Sequence, residues 1–312
     1  MAIISASRRT DIPAFFPDWF LNRIKAGYFF KVNPFNPNQV TGVSLAVEDV
    51  DCIVFWSKYP RPLLETGGLN YLDNKGYNYY FLYTINAYGD YFELPLPELK
   101  KRIKCFKELA YHLGSHRVIW RYDPIIISNY TDVDFHCRQF ARLAKELSSY
   151  TERVIISFLD LYAKTRRKLK QVEKENLKVK DPLKDKERLL FLCHRLKEIA
   201  EGNNLDIQSC GELDNPSREI ISPGSCIDGE LIEEVFDLKL ASKRDTNQRE
   251  TCLCIEAEDM GQYDTCRFAC RYCYANQSKQ AVEENLKEHN PAGKVLIGSC
   301  DREFEEQMRI DF

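Results

Sequence analysis

The chain has no apolar run approaching the roughly 18 residues that a membrane-crossing helix requires, so no bilayer span is expected. A secretory leader is not expected either. The stretch Met1–Ser7 is too short an apolar run, and Arg8-Arg9 follows it instead of preceding it, which leaves a cytoplasmic address as the expectation. Charge of one sign is also missing. Lys and Arg number 44 against 47 Asp and Glu, a formal net charge of −3, so no basic field surrounds the molecule and charge does not indicate a nucleic-acid partner. No glycine-rich phosphate loop follows the first apolar run, which argues against a nucleotide-binding doubly wound sheet. Histidine is scarce as well. His112 and His116 are four residues apart but lack a following Glu or Cys, so histidine is not expected to build a metal site.

What is present is the composition of an ordinary globular protein, with 44% hydrophobic and 29% charged residues. Its 312 positions suffice for one large domain or two ordinary ones with a substantial core. Short β-type apolar runs alternate with helical patterns. The runs are Ile3–Ala6, Cys52–Trp56, Tyr79–Ile85, Val118–Trp120, Val154–Phe158 and Leu205–Ser209. Between them lie helical stretches from about Pro17 to Ala26, Glu98 to Leu113, Asp132 to Tyr150 and Asp185 to Gly202. This alternation predicts parallel βαβ units, and hence an α/β fold with a partial or complete TIM-like β/α barrel. The Lys- and Glu-rich stretch from Thr165 to Lys186 reads as a solvated helical excursion. From about Gly211 periodicity gives way to turn residues and cysteines. Two parts are therefore expected: a barrel-like domain over 1–210 and a cysteine-rich region over 211–312, packed on the barrel mouth.

Twelve cysteines carry the strongest signal. In a cytosolic chain of this size they are poorly explained as a disulfide framework. Cys52, Cys105, Cys137 and Cys193 are scattered singly and read as small buried hydrophobes. Seven others, Cys210, Cys226, Cys252, Cys254, Cys266, Cys270 and Cys273, fall within 64 residues. The last three form a CxxxCxxC run. Three thiolates so spaced can each take one iron of a single 4Fe–4S cluster and leave the fourth iron open, whereas structural zinc usually wants four closed ligands. Tyr272, just before the third cysteine, offers an aromatic wall to a cluster or an adenine. Cys210, Cys226, Cys252 and Cys254 are four further ligands, enough to close a zinc site or to hold a second cluster. Reduced structural thiols are the other reading of this group.

The CxxxCxxC run with an aromatic before its third cysteine resembles the cluster motif of radical S-adenosylmethionine (SAM) enzymes. In those enzymes the motif follows the first strand of a partial barrel, whereas here it comes after the sixth. Every βα loop of a barrel reaches the same C-terminal face, so a cluster can be delivered there from either end of the chain. Phe55-Trp56-Ser57-Lys58-Tyr59-Pro60 and Trp120-Arg121-Tyr122-Asp123-Pro124 resemble strand-end motifs of the spore photoproduct lyase-like branch. The start Ser5-Ala6-Ser7-Arg8-Arg9-Thr10-Asp11-Ile12-Pro13 and the cysteine-rich end are similar to the family called domain of unknown function 1848. The resemblance implies one 4Fe–4S cluster, or two if the second group holds iron. It also implies SAM, an unidentified substrate, and a reductant such as flavodoxin or ferredoxin.

Polar groups follow the expected strands where a barrel places its chemistry: Arg8, Arg9 and Asp11 after the first, Lys58 after the second, Asn86 after the third. Arg121 and Asp123 follow the fourth, and Glu212 follows the sixth. Arg or Lys can pair with the carboxylate of SAM, and an acidic side chain can take its amino group or ribose hydroxyls. Asp123-Pro124 reads equally well as a turn initiator. The polar stretch Lys243–Arg249 is either a solvated loop or a flap that contacts cofactor or substrate. A different class of protein stays open at this point: a non-catalytic iron–sulfur or zinc protein that binds nucleic acid or a protein partner.

Overall fold

The structure is a computed structural model and describes residues 1–160, 163–173, 176–211, 216–241 and 243–304. Ten strands occur among them: β1 (Ala2–Ala6), β2 (Tyr28–Asn33), β3 (Asn36–Ser44), β4 (Val50–Ser57), β5 (Tyr79–Thr84), β6 (Val118–Ile125), β7 (Arg153–Phe158), β8 (Asp206–Cys210), β9 (Pro223–Gly224) and β10 (Glu258–Asp259). The hydrogen-bonded order of the main sheet is β10-β1-β4-β5-β6-β7-β8-β9. Helices separate its successive long strands, so the chain is an α/β protein with the parallel strand order of a partial β/α barrel. All six strands expected from the sequence are present and lie side by side in that order.

Two compact units emerge. The first comprises 1–81, 257–267 and 275–312, and the second 82–256 and 268–274. In the first, β1 and β4 pair in parallel with Ile4 opposite Ile53, and β10 adds on the other side of β1. Ile4, Cys52, Ile53, Val54 and Phe55 are wholly buried. Strands of a parallel sheet are covered on both faces, and for that reason these runs are continuously apolar instead of alternating. Helix Pro17–Ala26 starts with proline, whose missing N–H costs nothing there, and ends at Gly27 in the left-handed region with φ 77°. Its Phe20 meets Phe55 edge-on at 5.2 Å, and Phe55 stacks on Phe81 at 4.6 Å.

The antiparallel hairpin β2–β3 was not expected from the sequence. Its strands carry polar residues at neighbouring positions and a proline in β3, so no clean period-2 signal marks them.

In the second unit β6, β7, β8 and β9 pair in parallel, with Arg121 opposite Ile155 and Ile155 opposite Gln208. Val154, Ile155 and Ile156 are wholly buried. Helices Val133–Leu147, Lys186–Glu201 and Gly229–Phe236 each begin at an aspartate, Asp132, Asp185 and Asp228, whose side chain accepts a first-turn N–H. Of the Lys- and Glu-rich stretch from Thr165 to Lys186, the part up to Glu173 lies in helix Ala163–Glu173, with Leu169 buried, and Pro182–Lys184 forms a 3-10 turn. Among the described residues no helix is long and apolar enough to cross a membrane.

Candidate functional site

In the first unit, the chain leaving β1 turns sharply around one carboxylate. Asp259, 7% exposed, accepts hydrogen bonds from Ser5 Oγ (2.9 Å), Ser7 Oγ (2.7 Å), the Arg8 N–H (2.9 Å) and the Gly261 N–H (2.9 Å). Four donors to one buried carboxylate hold the turn after β1 against the strand that follows the second cysteine group. Arg8 lies over the Trp56 ring at 5.9 Å, and Arg9 over Tyr263 at 5.4 Å.

Asp11 spends its oxygens on the backbone. It caps Ala14 N–H at 3.1 Å and takes the Lys58 N–H at 2.8 Å, tying the end of β4 to the turn after β1. Burial outweighs these bonds and pushes the Asp11 carboxyl up to about 6. Arg8, Arg9, Asp11 and Lys58 thus sit at the C-terminal ends of β1 and β4, as expected, with Asp11 in a structural role.

The second unit holds the denser polar group. Strand β6 runs on to Ile125, so Arg121 and Asp123 lie within it, on one face by the two-residue period, and not in a turn after it. Arg121 pairs with Asp123 at 2.6 Å, and Asp123 also accepts from Ser157 Oγ at the end of β7. Burial opposes the guanidinium charge, but Asp123, Cys226 and Cys210 outweigh it and hold Arg121 above its ordinary range.

Asn86, wholly buried after β5, donates its Nδ2 to the Asp123 carbonyl at 2.8 Å, while its Oδ1 has no hydrogen-bond partner. A buried acceptor left unused costs roughly 1–3 kcal/mol. Beside Asn86, Glu93 receives Arg102 at 3.4 Å and the Tyr272 hydroxyl at 2.5 Å. Glu93 and Arg102 are nine residues apart, but Tyr272 is 179 residues from Glu93, and in sequence Glu93 is an ordinary loop carboxylate. Only its 2% exposure distinguishes it.

Tyr272 packs edge-on to Tyr88 at 6.4 Å and tilted toward Phe92 at 6.5 Å. Burial, and then the nearby Glu93 charge, hold its phenol well above the ordinary range. The Arg271 N–H donates to the Phe92 carbonyl at 3.0 Å, and the Lys168 ammonium donates to the Cys273 carbonyl at 2.9 Å. The charged helix Ala163–Glu173 therefore reaches the cysteine motif with one lysine. Within the motif Cys273 N–H closes on Cys270 O at 3.0 Å, and Ala269 has φ 46°. A left-handed residue with a Cβ is strained by about 1 kcal/mol, tolerated where the surroundings over-determine it. Cys266 belongs to the first unit, where Asn276 Nδ2 donates to its carbonyl at 2.7 Å.

The other four cysteines come together inside the second unit. Cys210 ends β8, Cys226 follows β9, and Cys252 and Cys254 flank Leu253. Cys226 Sγ lies 3.4 Å from Cys210 Sγ and also bonds the Cys254 thiol, which in turn bonds Cys252. These thiol neighbours, and then burial, hold Cys226 and Cys252 above the ordinary thiol range. The twelve cysteines, all among the described residues, form no disulfide. Among the described residues no three His, Cys, Asp or Glu side chains already surround a metal-sized position.

The stretch Lys243–Arg249 is anchored to this group: Arg244 Nε donates to the Cys252 carbonyl at 2.9 Å and Arg249 reaches the Cys210 carbonyl at 3.5 Å. Gly211, with φ 70°, leaves room for that arginine, since a Cβ there would run into the Arg249 guanidinium. Glu212 lies outside the described residues. A separate cleft of about 670 Å³ opens at the N-termini of helices Val133–Leu147 and Lys186–Glu201, and none of the residues expected from the sequence lines it.

Set against known protein families, residues 3–275 match the one described as domain of unknown function, DUF1848. The chain belongs to that family. No curated protein matches it. Membership covers both units and reaches past Cys273, so the strand-end residues and the cysteine groups all lie within the family's span.

Proposed function

We propose that this DUF1848 protein is a radical SAM-type enzyme whose 4Fe–4S cluster is held by Cys266, Cys270 and Cys273. The donor set fits such a cluster: three thiols within eight residues, none in a disulfide, and no fourth cysteine in the run. The observation that carries the reading is the Tyr272–Glu93 hydrogen bond. It fixes the Cys270–Cys273 turn next to the polar group of β5 and β6, where Asn86 Oδ1 stays unused. Held there, such a cluster would supply one electron, drawn from a flavodoxin- or ferredoxin-type reductant, to cleave SAM into methionine and a 5′-deoxyadenosyl radical.

The chain's own residues supply recognition and exclusion of water. Arg121 faces the carboxylate of SAM with a planar pair of donors, and its Asp123 partner keeps it charged and oriented. Asn86 Oδ1 accepts a hydrogen from the SAM amino group or a ribose hydroxyl, which relieves its unused capacity. Tyr88, Phe92 and Tyr272 form an apolar wall that keeps water from reactive species.

Anaerobic reconstitution followed by iron and sulfide counting, EPR and a SAM titration tests this reading. The expected result is a three-cysteine cluster whose EPR spectrum changes on adding SAM, with slow release of 5′-deoxyadenosine. A reconstituted cluster that ignores SAM and releases no deoxyadenosine overturns the enzyme reading.

A further inference from the structure

We propose that Cys210, Cys226, Cys252 and Cys254 form a separate structural site for one zinc ion. The inference is independent of the radical SAM reading and rests on how the second unit arranges these four sulfurs.

Distance decides the kind of metal. A single zinc ion with bonds of about 2.3 Å holds its four sulfurs at tetrahedral edges of roughly 3.8 Å. The Cys226–Cys210 separation is 3.4 Å, and thiol contacts continue from Cys226 to Cys254 and from Cys254 to Cys252. A cubane attaches each cysteine to a different iron and therefore spreads the sulfurs much farther apart. Cys252 and Cys254 have one residue between them and interact through their thiols, which suits two corners of one small tetrahedron. On binding, the four thiols release their protons and the side chains turn from contact with one another to surround the ion, since no three of them do so yet.

The surroundings suit the product. Zinc with four thiolates carries a net charge of −2, and three arginines lie about it. Arg121 interacts electrostatically with Cys210 and Cys226, Arg244 holds the Cys252 carbonyl, and Arg249 reaches the Cys210 carbonyl. The Ile227 N–H points at Cys254 Sγ at 3.4 Å, the outer hydrogen bond that a metal-bound thiolate takes.

A staple is also what this part of the fold lacks. From 216 to 256 the described chain contains one eight-residue helix, Gly229–Phe236, a two-residue strand and a short 3-10 turn, and little else repeats. Regions so poor in regular structure are commonly fixed by metal. Zinc would tie the end of β8, the loop before that helix and the 252–254 segment to one point.

The test uses the full chain carrying Cys266→Ala, Cys270→Ala and Cys273→Ala, which removes the other cysteine group. It should retain about one zinc per chain, without iron or sulfide, and exchange to cobalt with the visible bands of a tetrahedral thiolate site. Adding Cys226→Ser should remove that metal. Iron with inorganic sulfide in the triple variant, or a folded triple variant without zinc after growth in zinc-supplemented medium, overturns the site. Should any variant fail to fold, zinc-edge X-ray absorption on the wild-type chain decides: four sulfur neighbours support the proposal, and nitrogen or oxygen neighbours or no zinc reject it. Neither outcome bears on whether SAM is cleaved.

Discussion

The Tyr272 hydroxyl donates to the Glu93 carboxylate at 2.5 Å, joining the cysteine motif to the loop after β5 across 179 positions of chain. Both side chains are buried, and Glu93 is also paired with Arg102. A hydrogen bond to a buried carboxylate is one of the stronger kinds, because the alternative is a charge that lacks a donor where water cannot reach it. Tyr272→Phe should therefore destabilise the protein by about 2 kcal/mol without changing its shape. Urea unfolding should show a lower midpoint at an unchanged slope, and an unmoved midpoint would mean the bond contributes nothing.

Ligand roles separate the cysteines into classes. Ala at Cys266, Cys270 or Cys273 should abolish the EPR signal of the reconstituted 4Fe–4S cluster, while Ala at Cys105 should leave it intact. Cys105 is wholly buried in helix Leu99–Leu113 and acts there as a small hydrophobe. Retention of the full signal in all three motif variants would remove the basis of the proposed function.

SAM affinity should depend on the polar group of β5 and β6. Arg121→Ala or Asp123→Ala should each cost on the order of 2 kcal/mol of binding, roughly a thirtyfold loss of affinity. Iron content should not change, because neither side chain is a thiolate. Equal SAM affinity in wild type and both variants, measured by calorimetry, would place the ligand elsewhere.

Two buried groups set opposing pH dependences. The His136 ring accepts from the Tyr122 hydroxyl at Nδ1 (2.8 Å) and donates Nε2–H to the Ile126 carbonyl (3.0 Å), and burial lowers its pKa to about 4. The unfolded chain then takes up the proton first. The His136 contribution is complete above about 6.5 and is lost as pH falls toward 4, about 3 kcal/mol in all. Asp11 has the opposite sign. Its pKa is raised to about 6, so its contribution is complete below the unfolded value near 3.8 and is lost as pH rises through 6. Denaturation at pH 4.5, 5.5 and 7 should show a steeper acid loss than wild type in Asp11→Asn and a shallower one in His136→Gln. Parallel curves in all three proteins would refute both assignments.

Periodicity and composition by themselves determined the six long strands, the α/β class and the concentration of cysteine between Cys210 and Cys273, because each is a local property of the chain. Apolar runs such as Val154–Phe158 are continuous since a parallel strand is buried on both faces, and that signal needs no knowledge of partners. The hairpin β2–β3 and the two-residue strands β9 and β10 escaped the same reading. The hairpin is local but its side chains carry no period, and β9 and β10 are too short to show one, β10 existing only through pairing with β1 some 250 residues away.

The site divided in the same way. Asn86, Arg121 and Asp123 were legible as polar residues near strand ends, but the continuation of β6 to Ile125, which puts Arg121 and Asp123 on one face, was not. Asp259 under the turn after β1, Glu93 under Tyr272, and the Arg249 contact to the Cys210 carbonyl are relationships across tens to hundreds of residues. Tertiary structure alone decided them, since a carboxylate or a guanidinium finds its partner only after the chain has closed, and nothing in the residues flanking either group records which partner that will be.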